Sequence, residues 1–303
     1  NQDPVAINAT GTIGGGDGST YTYSWQQSPD NSTWTTADGT ANTSSYDPGK
    51  LTHTQYYQRV ANSGVCIAVS NTVTVNVLPL INNNTVSSDQ TVCQGTAFSA
   101  LSGTLPSGGA GSGSYSYKWL ESADKIAWSA ATGTYTGQNY TPASYTANQS
   151  YYFRREVISG PGNVCRDTST NLTLVRYPSI SGNTISSSQT EVCAGTTIND
   201  LTGSLPSGGN GVYAYQWQRS TDGTTWNSTG KTTQNMTGEQ VTTTTYFNRV
   251  VSSSVCPAST SGNVMITSYP VLAGYQIALD AAGHDTILTG TTPAKIKGTT
   301  ITG

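Results

Sequence analysis

The chain has 303 residues, a formal charge of −3, and only 10% Asp, Glu, Lys and Arg. Globular proteins usually contain about 25% charged residues. No block of basic residues could neutralise a phosphate backbone, and no apolar run reaches the roughly 18 residues of a membrane span. We therefore expect no nucleic-acid partner and no membrane insertion.

The residue types favour short strands joined by polar turns. Gly (33) and Tyr (18) are abundant, and runs of the Ala, Leu, Glu and Lys type that form helices are missing from the sequence. The stretch from Thr72 to Val77 alternates polar and apolar residues with the two-residue period of a strand. This pattern predicts an all-β chain.

One module recurs three times along the chain. A Tyr-x-Tyr-x-Trp strand ends at Trp25, Trp119 and Trp217. A turn aspartate and a second tryptophan follow as Asp30 with Trp34, Asp124 with Trp128, and Asp222 with Trp226. An aromatic strand that carries an arginine follows at 56–60, 151–155 and 246–250. A fixed period of this kind indicates tandem repeats.

Each copy ends at a proline, which cannot continue a strand ladder: Pro79, Pro178 and Pro270. We therefore define repeat 1 as residues 1–79, repeat 2 as 80–178 and repeat 3 as 179–270, and expect 271–303 to start a fourth copy. Repeat 1 lacks the opening segment that ends at Cys93 in repeat 2.

Two explanations fit the incomplete first copy. We favour a piece of a longer array, in which neighbouring repeats of the same chain are the partners. The alternative is a filament subunit whose residues 271–292 insert into repeat 1 of the next identical chain by strand addition.

Within repeat 2 the pattern predicts strands at 97–104, 114–121, 126–130, 138–142, 150–158 and 170–177. Their number and spacing predict an immunoglobulin-like β-sandwich of about seven strands, with Trp25, Trp119 and Trp217 in the cores. The Gly-rich loops at 14–16, 108–113 and 208–211 lack the Lys and the following helix of a phosphate loop, so we interpret them as flexible hairpin tips.

Five cysteines occupy two fixed places in the repeat. Cys93 and Cys193 open a copy, whereas Cys66, Cys165 and Cys256 follow the aromatic strand. We expect disulfides from Cys93 to Cys165 and from Cys193 to Cys256, with the partner of Cys66 outside the sequence. Such bridges indicate an oxidising, extracellular setting. Neither CxxC nor ligand-spaced His accompanies the cysteines, so we expect no metal.

The sequence offers little catalytic chemistry. The two histidines, His53 and His284, recur in no other copy, and no nucleophile or zinc-protease motif accompanies them. Calcium between domains would need several carboxylates, but the junctions carry only Asp89 and Glu191 nearby. We therefore predict no enzyme activity, no cofactor and no metal, and interpret Asp30, Asp124 and Asp222 as turn residues.

The second tryptophans allow two interpretations. Trp34, Trp128 and Trp226 could form a sugar-stacking platform for a surface polysaccharide, but their place beside a hairpin turn favours packing across the hairpin.

Together the motifs resemble a known type of repeat. Cys-x-Gly-Thr, Leu-Pro-Ser-Gly-Gly, Tyr-x-Tyr-x-Trp and Tyr-Tyr-x-Arg resemble the immunoglobulin-like or PKD-like repeats of giant Bacteroidota surface proteins, including SprB-type gliding adhesins. The resemblance covers 1–270 well and 271–303 weakly, where Leu288 replaces the expected Cys. It implies export by type IX secretion and a place on the cell surface. Asp285-Thr286-Ile287 is similar to the O-glycosylation acceptor of that phylum, with Thr286 as the modified residue.

From these observations we expect a non-catalytic structural segment of an extracellular fibre or adhesin. A carbohydrate-binding module array and a strand-donating filament subunit are the alternatives.

Overall fold

The computed structural model describes residues 3–18, 20–142, 145, 147–279, 286–292 and 295–299. These residues form 25 strands and one short 3-10 turn at Pro161–Asn163, without an α-helix among them. The all-β prediction is confirmed. No described segment is a helix long and apolar enough to cross a bilayer.

The strands follow the repeats. Repeat 1 contains β1 Ile7–Asn8, β2 Thr22–Ser28, β3 Thr35–Thr36, β4 Ser45–Tyr46, β5 Gln55–Ser63, β6 Cys66–Val69 and β7 Val73–Val75. Repeat 2 contains β8 Gln90–Cys93, β9 Ser116–Ser122, β10 Ser129–Ala130, β11 Ser150–Ser159, β12 Cys165–Thr168 and β13 Leu172–Tyr177.

Repeat 3 contains β14 Ile185–Ser187, β15 Glu191–Cys193, β16 Thr196–Thr197, β17 Leu201–Gly203, β18 Ala214–Ser220, β19 Asn227–Ser228, β20 Gln240–Val241, β21 Thr245–Ser253, β22 Cys256–Thr260 and β23 Val264–Tyr269. The remaining two strands are β24 Ile277–Leu279 and β25 Ile296–Gly298.

Contacts divide the chain into two units that do not follow the repeat boundaries. The first comprises Asn1–Gln90, Phe98–Tyr145 and Tyr151–Leu174, and the second Thr91–Ala97, Thr146–Ser150 and Val175–Gly303.

Repeat 3 lies wholly in the second unit and shows the complete sandwich. Its larger sheet has the order β15-β23-β21-β18-β19, with β22 also paired to β21. Two short ladders, β14-β17 and β16-β20, supply the opposite layer. The opening strand β15 runs parallel to the closing strand β23, whereas the other pairs are antiparallel.

The first unit repeats this arrangement. Repeat 1 has a sheet β3-β2-β5-β6, with β7 also paired to β5, and a short ladder β1-β4. Repeat 2 places β10, β9 and β11 in the same order, with β12 paired to β11. Strand β13 begins in the first unit and ends in the second, where Gln94 after β8 donates its backbone N–H to Tyr177 O. The chain is therefore built from tandem immunoglobulin-like β-sandwiches, as predicted.

The predicted tryptophans lie in the cores because each indole finds both apolar neighbours and a hydrogen-bond acceptor. Trp25, Trp119 and Trp217 are buried, and their Nε1 atoms donate to Thr43 O, Gly137 O and Thr233 O at 2.9, 3.1 and 2.9 Å. Trp119 stacks on Tyr140 at 5.8 Å between ring centroids, as Trp25 stacks on Tyr46 at 5.7 Å. Met236 fills the corresponding place in repeat 3, where it packs in the same buried cluster as Trp217.

Two predicted strands of repeat 2 are shorter than expected. Residues 97–104 and 138–142 form no continuous strand and meet mainly at the single bridge between Leu101 and Tyr140. Strands β8 and β12 were not predicted. Both short segments contain Gly, Ser, Thr or Pro, which break the alternation that a long ladder needs.

The Gly-rich loops of repeats 2 and 3 are packed turns rather than the flexible hairpin tips expected from sequence. The backbone N–H of Gly109 donates to Pro79 O at 2.9 Å, and that of Gly209 donates to Pro178 O at 2.8 Å. A side chain at Gly108 or Gly208, both at positive φ, would overlap the carbonyl of Leu80 or Ser179. Each loop therefore contacts the end of the preceding repeat and the start of its own.

The described part of 271–303 folds like the start of repeats 2 and 3. The backbone N–H of Thr299 donates to Gln276 O at 3.0 Å, as Thr104 donates to Thr85 O at 3.0 Å and Ser204 to Thr184 O at 2.9 Å. Strand β24 pairs with β25 in the same chain, so the proposed donor segment 271–292 already has a partner strand.

Replacing the buried and the half-buried tryptophan of one repeat tests this packing. Trp119→Ala should lower the free energy of unfolding by about 3–5 kcal/mol, because it empties a fully buried site. Trp128→Ala, the matched control on the neighbouring hairpin, should cost about 1 kcal/mol. Chemical denaturation measures both, and equal losses would contradict the assignment of Trp119 to the core.

Candidate functional site

A buried arginine joins three segments of repeat 2. The Arg155 side chain is 0% exposed. Its Nε donates to Asn84 Oδ1 at 2.9 Å, its Nη1 to Gln138 O at 3.0 Å and its Nη2 to Thr104 O at 2.9 Å. Asn84 in turn donates Nδ2 to Arg155 O at 3.3 Å and to Asp167 O at 3.2 Å. A buried guanidinium needs acceptors for its donors, and these supply them.

Repeat 3 reproduces the cluster with its own corresponding residues. Arg249, also 0% exposed, donates from Nε to Asn183 Oδ1 at 3.0 Å and from Nη1 to Gln234 O at 2.7 Å. Its Nη2 donates to Ser204 O at 2.8 Å. Burial lowers the pKa of both Arg155 and Arg249 below the usual guanidinium value, although such groups stay charged.

Repeat 1 has the arginine without the asparagine. Arg59 is 9% exposed and lies over the Tyr23 ring at 4.5 Å from the centroid. Among the described residues its guanidinium makes one hydrogen bond, from Nη1 to Ser44 O at 3.0 Å.

A cavity of about 390 Å³ opens beside Arg59. Its lining includes Asn8, Thr12, Tyr21, Tyr23 and Ser44, and is mainly polar. Ala9, another lining residue, stands where repeats 2 and 3 have Gly103 and Gly203. A Cβ at either glycine would overlap the guanidinium of Arg155 or Arg249.

The disulfide pairing expected from sequence is wrong. Cys93 of repeat 2 is bonded to Cys256 of repeat 3, 163 residues later. Cys165 and Cys193, expected as their partners, have free thiols, as does Cys66. Cys193 and Cys66 are exposed, and Cys165 is half-buried.

Strand direction explains the difference. Strand β8 is the counterpart of β15, which runs parallel to the closing strand, so its last residue Cys93 lies at the end of the repeat, with its sulfur 3.8 Å from Pro178 O. Cys165 begins β12 opposite Ser159, at the hairpin end that contacts the Gly-rich loop near Pro79. In repeat 3, Cys193 pairs with Tyr269 at one end of the sheet, whereas Cys256 begins β22 opposite Ser253 at the other end, so the two cysteine places of one repeat do not meet. Cys256 lies 3.4 Å from Pro178 O, beside Cys93.

The turn aspartates cap their own hairpins, as predicted. Asp124 Oδ1 accepts from the backbone N–H of Ile126 at 2.8 Å and of Ala127 at 2.9 Å, and from Ser122 Oγ at 3.0 Å. Asp30 and Asp222 make the same set of bonds in their repeats. Backbone hydrogen bonds to the carboxylate lower the pKa of all three aspartates.

The second tryptophans stand just before the return strands and are half-buried. The Arg154 guanidinium covers the Trp128 ring at 4.1 Å from the centroid, and Trp128 Nε1 donates to Lys125 O at 3.1 Å. Trp34 and Trp226 are exposed to a similar degree. Arg154 of β11 therefore covers one face of the Trp128 ring.

The other sequence candidates do not converge. The His53 ring forms hydrogen bonds with Thr52 Oγ1 and Gln55 Nε2, both at 3.1 Å, and His284 lies outside the described residues. Asp89 accepts from the Thr173 N–H at 2.8 Å, and Glu191 from Tyr269 OH at 3.3 Å. The described residues hold no group of three or more His, Cys, Asp or Glu arranged for a metal.

The proposed O-glycosylation motif is only partly described. Thr286 is exposed, and Asp285 before it lies outside the described residues.

The sequence analysis missed the arginine cluster, although its signal was present. The Arg59, Arg155 and Arg249 positions were visible in the aromatic strand, and Asn84 and Asn183 both precede a Thr in the opening segment. Polar residues that recur at the same place from copy to copy, next to positions that face the core, indicate a buried polar pair.

Removing the asparagine tests the cluster. Asn84→Ala should lower the free energy of unfolding by about 1–3 kcal/mol or more, because the buried Arg155 Nε loses its acceptor. Asn82→Ala, on the exposed neighbouring position, should cost less than about 0.5 kcal/mol. Chemical denaturation of both variants decides, and a neutral Asn84→Ala would contradict the role of this bond.

The disulfide is tested by peptide mapping without reduction. We expect one linked pair of peptides that contain Cys93 and Cys256, together with alkylated Cys165 and Cys193. A peptide pair linking Cys93 to Cys165 would contradict the structure and restore the pairing expected from sequence.

No curated protein sequence matches the chain. Among solved structures it is similar to titin domains A168-A170, with 11% identity, 82% of this chain and 88% of that chain covered, and a TM-score of 0.39. It is also similar to chicken CNTN1 domains FN1-FN3, with 11% identity, coverage of 82% and 89%, and a TM-score of 0.28. Drosophila OTK extracellular domains 3-5 match with 8% identity, coverage of 82% and 86%, and a TM-score of 0.27.

One protein family matches nearly the whole of the repeated region. Its description is "Domain of unknown function (DUF8696)", and it matches three times, at residues 1–79, 82–178 and 181–270. Each match contains a core tryptophan and the buried arginine of the aromatic strand: Trp25 with Arg59, Trp119 with Arg155, and Trp217 with Arg249. The chain therefore belongs to the DUF8696 family, with three copies of its domain in tandem.

Proposed function

We propose that the chain is a non-catalytic structural segment of an extracellular fibre or adhesin. Tandem β-sandwiches provide length in this proposal, and binding to a surface resides elsewhere in the parent protein. The three DUF8696 repeats and the buried arginine–asparagine clusters of repeats 2 and 3 support a structural role.

The observation that carries the proposal is the covalent link between successive repeats. The bond between Cys93 and Cys256 starts in repeat 2 and ends in repeat 3. A protein under tension gains from such a bond because the residues between the two cysteines cannot extend even after they unfold.

The remaining cysteines occupy the same two places in the repeat. Cys193 ends its opening strand as Cys93 does, and Cys66 and Cys165 begin the strands that correspond to the one begun by Cys256. Leu288 stands in the place of an opening cysteine, in the same turn: Thr291 donates to Leu288 O at 3.1 Å, as Thr96 donates to Cys93 O at 3.0 Å.

The setting is also part of the proposal. A disulfide is stable outside the reducing cytosol, which supports an extracellular place. The resemblance of the repeat motifs to surface repeats of Bacteroidota gliding adhesins adds the cell surface and type IX export to the proposal. Modification of Thr286 would follow from the same resemblance.

A carbohydrate-binding array is the second candidate. The half-exposed rings of Trp34, Trp128 and Trp226 favour it, since aromatic faces stack on sugars. Against it, the Arg154 guanidinium already covers one face of Trp128. Polysaccharide therefore remains a partner of the second candidate only.

Stretching single molecules from their two ends tests the structural role. The oxidised chain should reach a contour length about 55 nm shorter than the Cys93→Ser/Cys256→Ser variant, because the residues inside the bond do not extend. Reduction of the native chain is the matched control and should give the longer value. Equal lengths before and after reduction would contradict a tension-bearing role for the bond.

A glycan array separates the two candidate functions. We expect no specific signal from the native chain. Specific binding that Trp128→Ala abolishes, with near-UV circular dichroism otherwise retained, would overturn the structural proposal in favour of the carbohydrate-binding array.

A further inference from the structure

We propose that Asn210 is a self-modification site, at which the backbone nitrogen of Gly211 displaces the side-chain ammonia and water then leaves an aspartate. Asn210-Gly211 is the single Asn-Gly pair in the 303-residue sequence. Both residues lie in the Gly-rich loop of repeat 3 and are exposed to solvent. The inference concerns the chemistry of this loop and does not rest on the proposed function.

The loop holds the carboxamide over the peptide bond that attacks it. Asn210 Oδ1 accepts from the backbone N–H of Val212 at 3.0 Å, which closes a side-chain turn around Gly211 N. Ser253 Oγ donates to the same oxygen at 2.8 Å. Two donors on one carbonyl oxygen polarise Cγ and stabilise the negative charge that this oxygen gains when a nucleophile adds.

The nucleophile and the leaving group are both unhindered. Within the described residues the Gly211 N–H donates to no acceptor, whereas the Gly111 N–H of repeat 2 donates to Gly108 O at 3.1 Å. In the same part of the chain, Asn210 makes its side-chain hydrogen bonds through Oδ1, so Nδ2 leaves without breaking a contact. A Cβ placed on Gly211 would meet nothing within 4 Å, so the loop has room for a five-membered ring.

The reaction needs water as its one co-reactant. Hydroxide removes the Gly211 amide proton, the nitrogen attacks Asn210 Cγ, and the bond from Cγ to Nδ2 breaks as the departing nitrogen takes up a proton. Water then adds to Cγ of the cyclic imide, and the bond between Cγ and Gly211 N breaks. No atom is oxidised or reduced. The net change converts a carboxamide and water to a carboxylate and ammonium.

Repeat 1 already has the product at this place in the fold. The backbone N–H of Asp17 donates to Ser63 Oγ at 3.2 Å, and Ser63 Oγ donates back to Asp17 Oδ1 at 2.6 Å. Asn210 makes the same two bonds with Ser253, at 3.0 and 2.8 Å, so the two positions are equivalent. An aspartate at 210 therefore keeps the serine contact, with a charged acceptor in place of a neutral one.

The same contacts select the linkage of the product. Attack of water at the other imide carbonyl gives isoaspartate, whose main chain is longer by one carbon. Only the ordinary linkage keeps Ser253 bonded to both the N–H and the side-chain oxygen of residue 210 while Gly209 still donates to Pro178 O. We therefore expect the folded chain to give a larger share of aspartate than the unfolded chain does.

Incubation of the intact chain in heavy-oxygen water tests the inference. Peptide mass spectrometry after mildly alkaline incubation should show an amide-to-acid change with heavy oxygen at Asn210. The internal control is Asn31, another exposed turn asparagine, because the N–H of the following Ser32 is held by Asp30 Oδ1 at 2.9 Å. Asn31 should convert at least about tenfold more slowly. Chromatography against synthetic aspartyl and isoaspartyl peptides measures the share of each linkage, in the native chain and in guanidinium.

Two chain variants complete the test. Gly211→Asn introduces a residue that tolerates positive φ but places a side chain beside the attacking nitrogen, and should slow the conversion of Asn210 by about tenfold or more. Asn210→Asp is the product standard and should unfold at the same denaturant concentration as the native chain. If Gly211→Asn does not fold, the comparison of Asn210 with Asn31 decides alone.

Four results would overturn the inference: no conversion of Asn210, equal rates at Asn210 and Asn31, equal shares of aspartate from the folded and unfolded chains, or a lower unfolding midpoint for Asn210→Asp. The first two would remove the site, and the last two would show that the folded loop does not accept the product.

Discussion

A permanently charged guanidinium buried in a small sandwich is the constraint on which each module depends. Arg155 and Arg249 have no exposed surface, so every donor must find an acceptor inside the protein. In repeat 2 the acceptors come from three separate stretches of the chain. Asn84 lies in the opening segment, Thr104 in the segment 97–104, and Gln138 in the segment 138–142. A single side chain therefore couples the start of the repeat to both of its layers, and the module is complete only when all three stretches are in place.

This coupling extends to the junctions between repeats. The opening segment that brings Asn84 to Arg155 starts directly after Pro79, whose carbonyl accepts from Gly109 of the same repeat. The junction at Pro178 has the same bond from Gly209, and the Cys93 to Cys256 disulfide lies beside it. The arginine cluster and the glycine loop thus contact the segment that follows each boundary proline, and the disulfide lies beside Pro178. A repeat of this kind is stabilised at its junctions as well as in its core.

The parts of the structure that could be predicted from sequence are those with a local or strictly periodic cause. Trp119 and its counterparts, the aromatic strands and the capping role of Asp124 follow from alternation and turn chemistry within a few residues. The cysteine partner could not be predicted, because in a tandem repeat a bond within one copy and a bond to the next copy have the same periodic pattern. Only the parallel direction of the opening strand separates Cys165 from Cys256 as the partner of Cys93. The Arg155 and Asn84 pair was missed for a similar reason, since 71 residues separate them.

Repeat 1 shows what the constraint means when one of the three stretches is different. Arg59 keeps its place over Tyr23 and its bond to Ser44, so the aromatic strand and the neighbouring loop position the arginine without the opening segment. The asparagine therefore does not create the site. In repeats 2 and 3 it supplies an acceptor for the arginine Nε, and its own Nδ2 donates to two backbone carbonyls of the neighbouring strands. The asparagine thus links the opening segment to an arginine that the aromatic strand already holds in place.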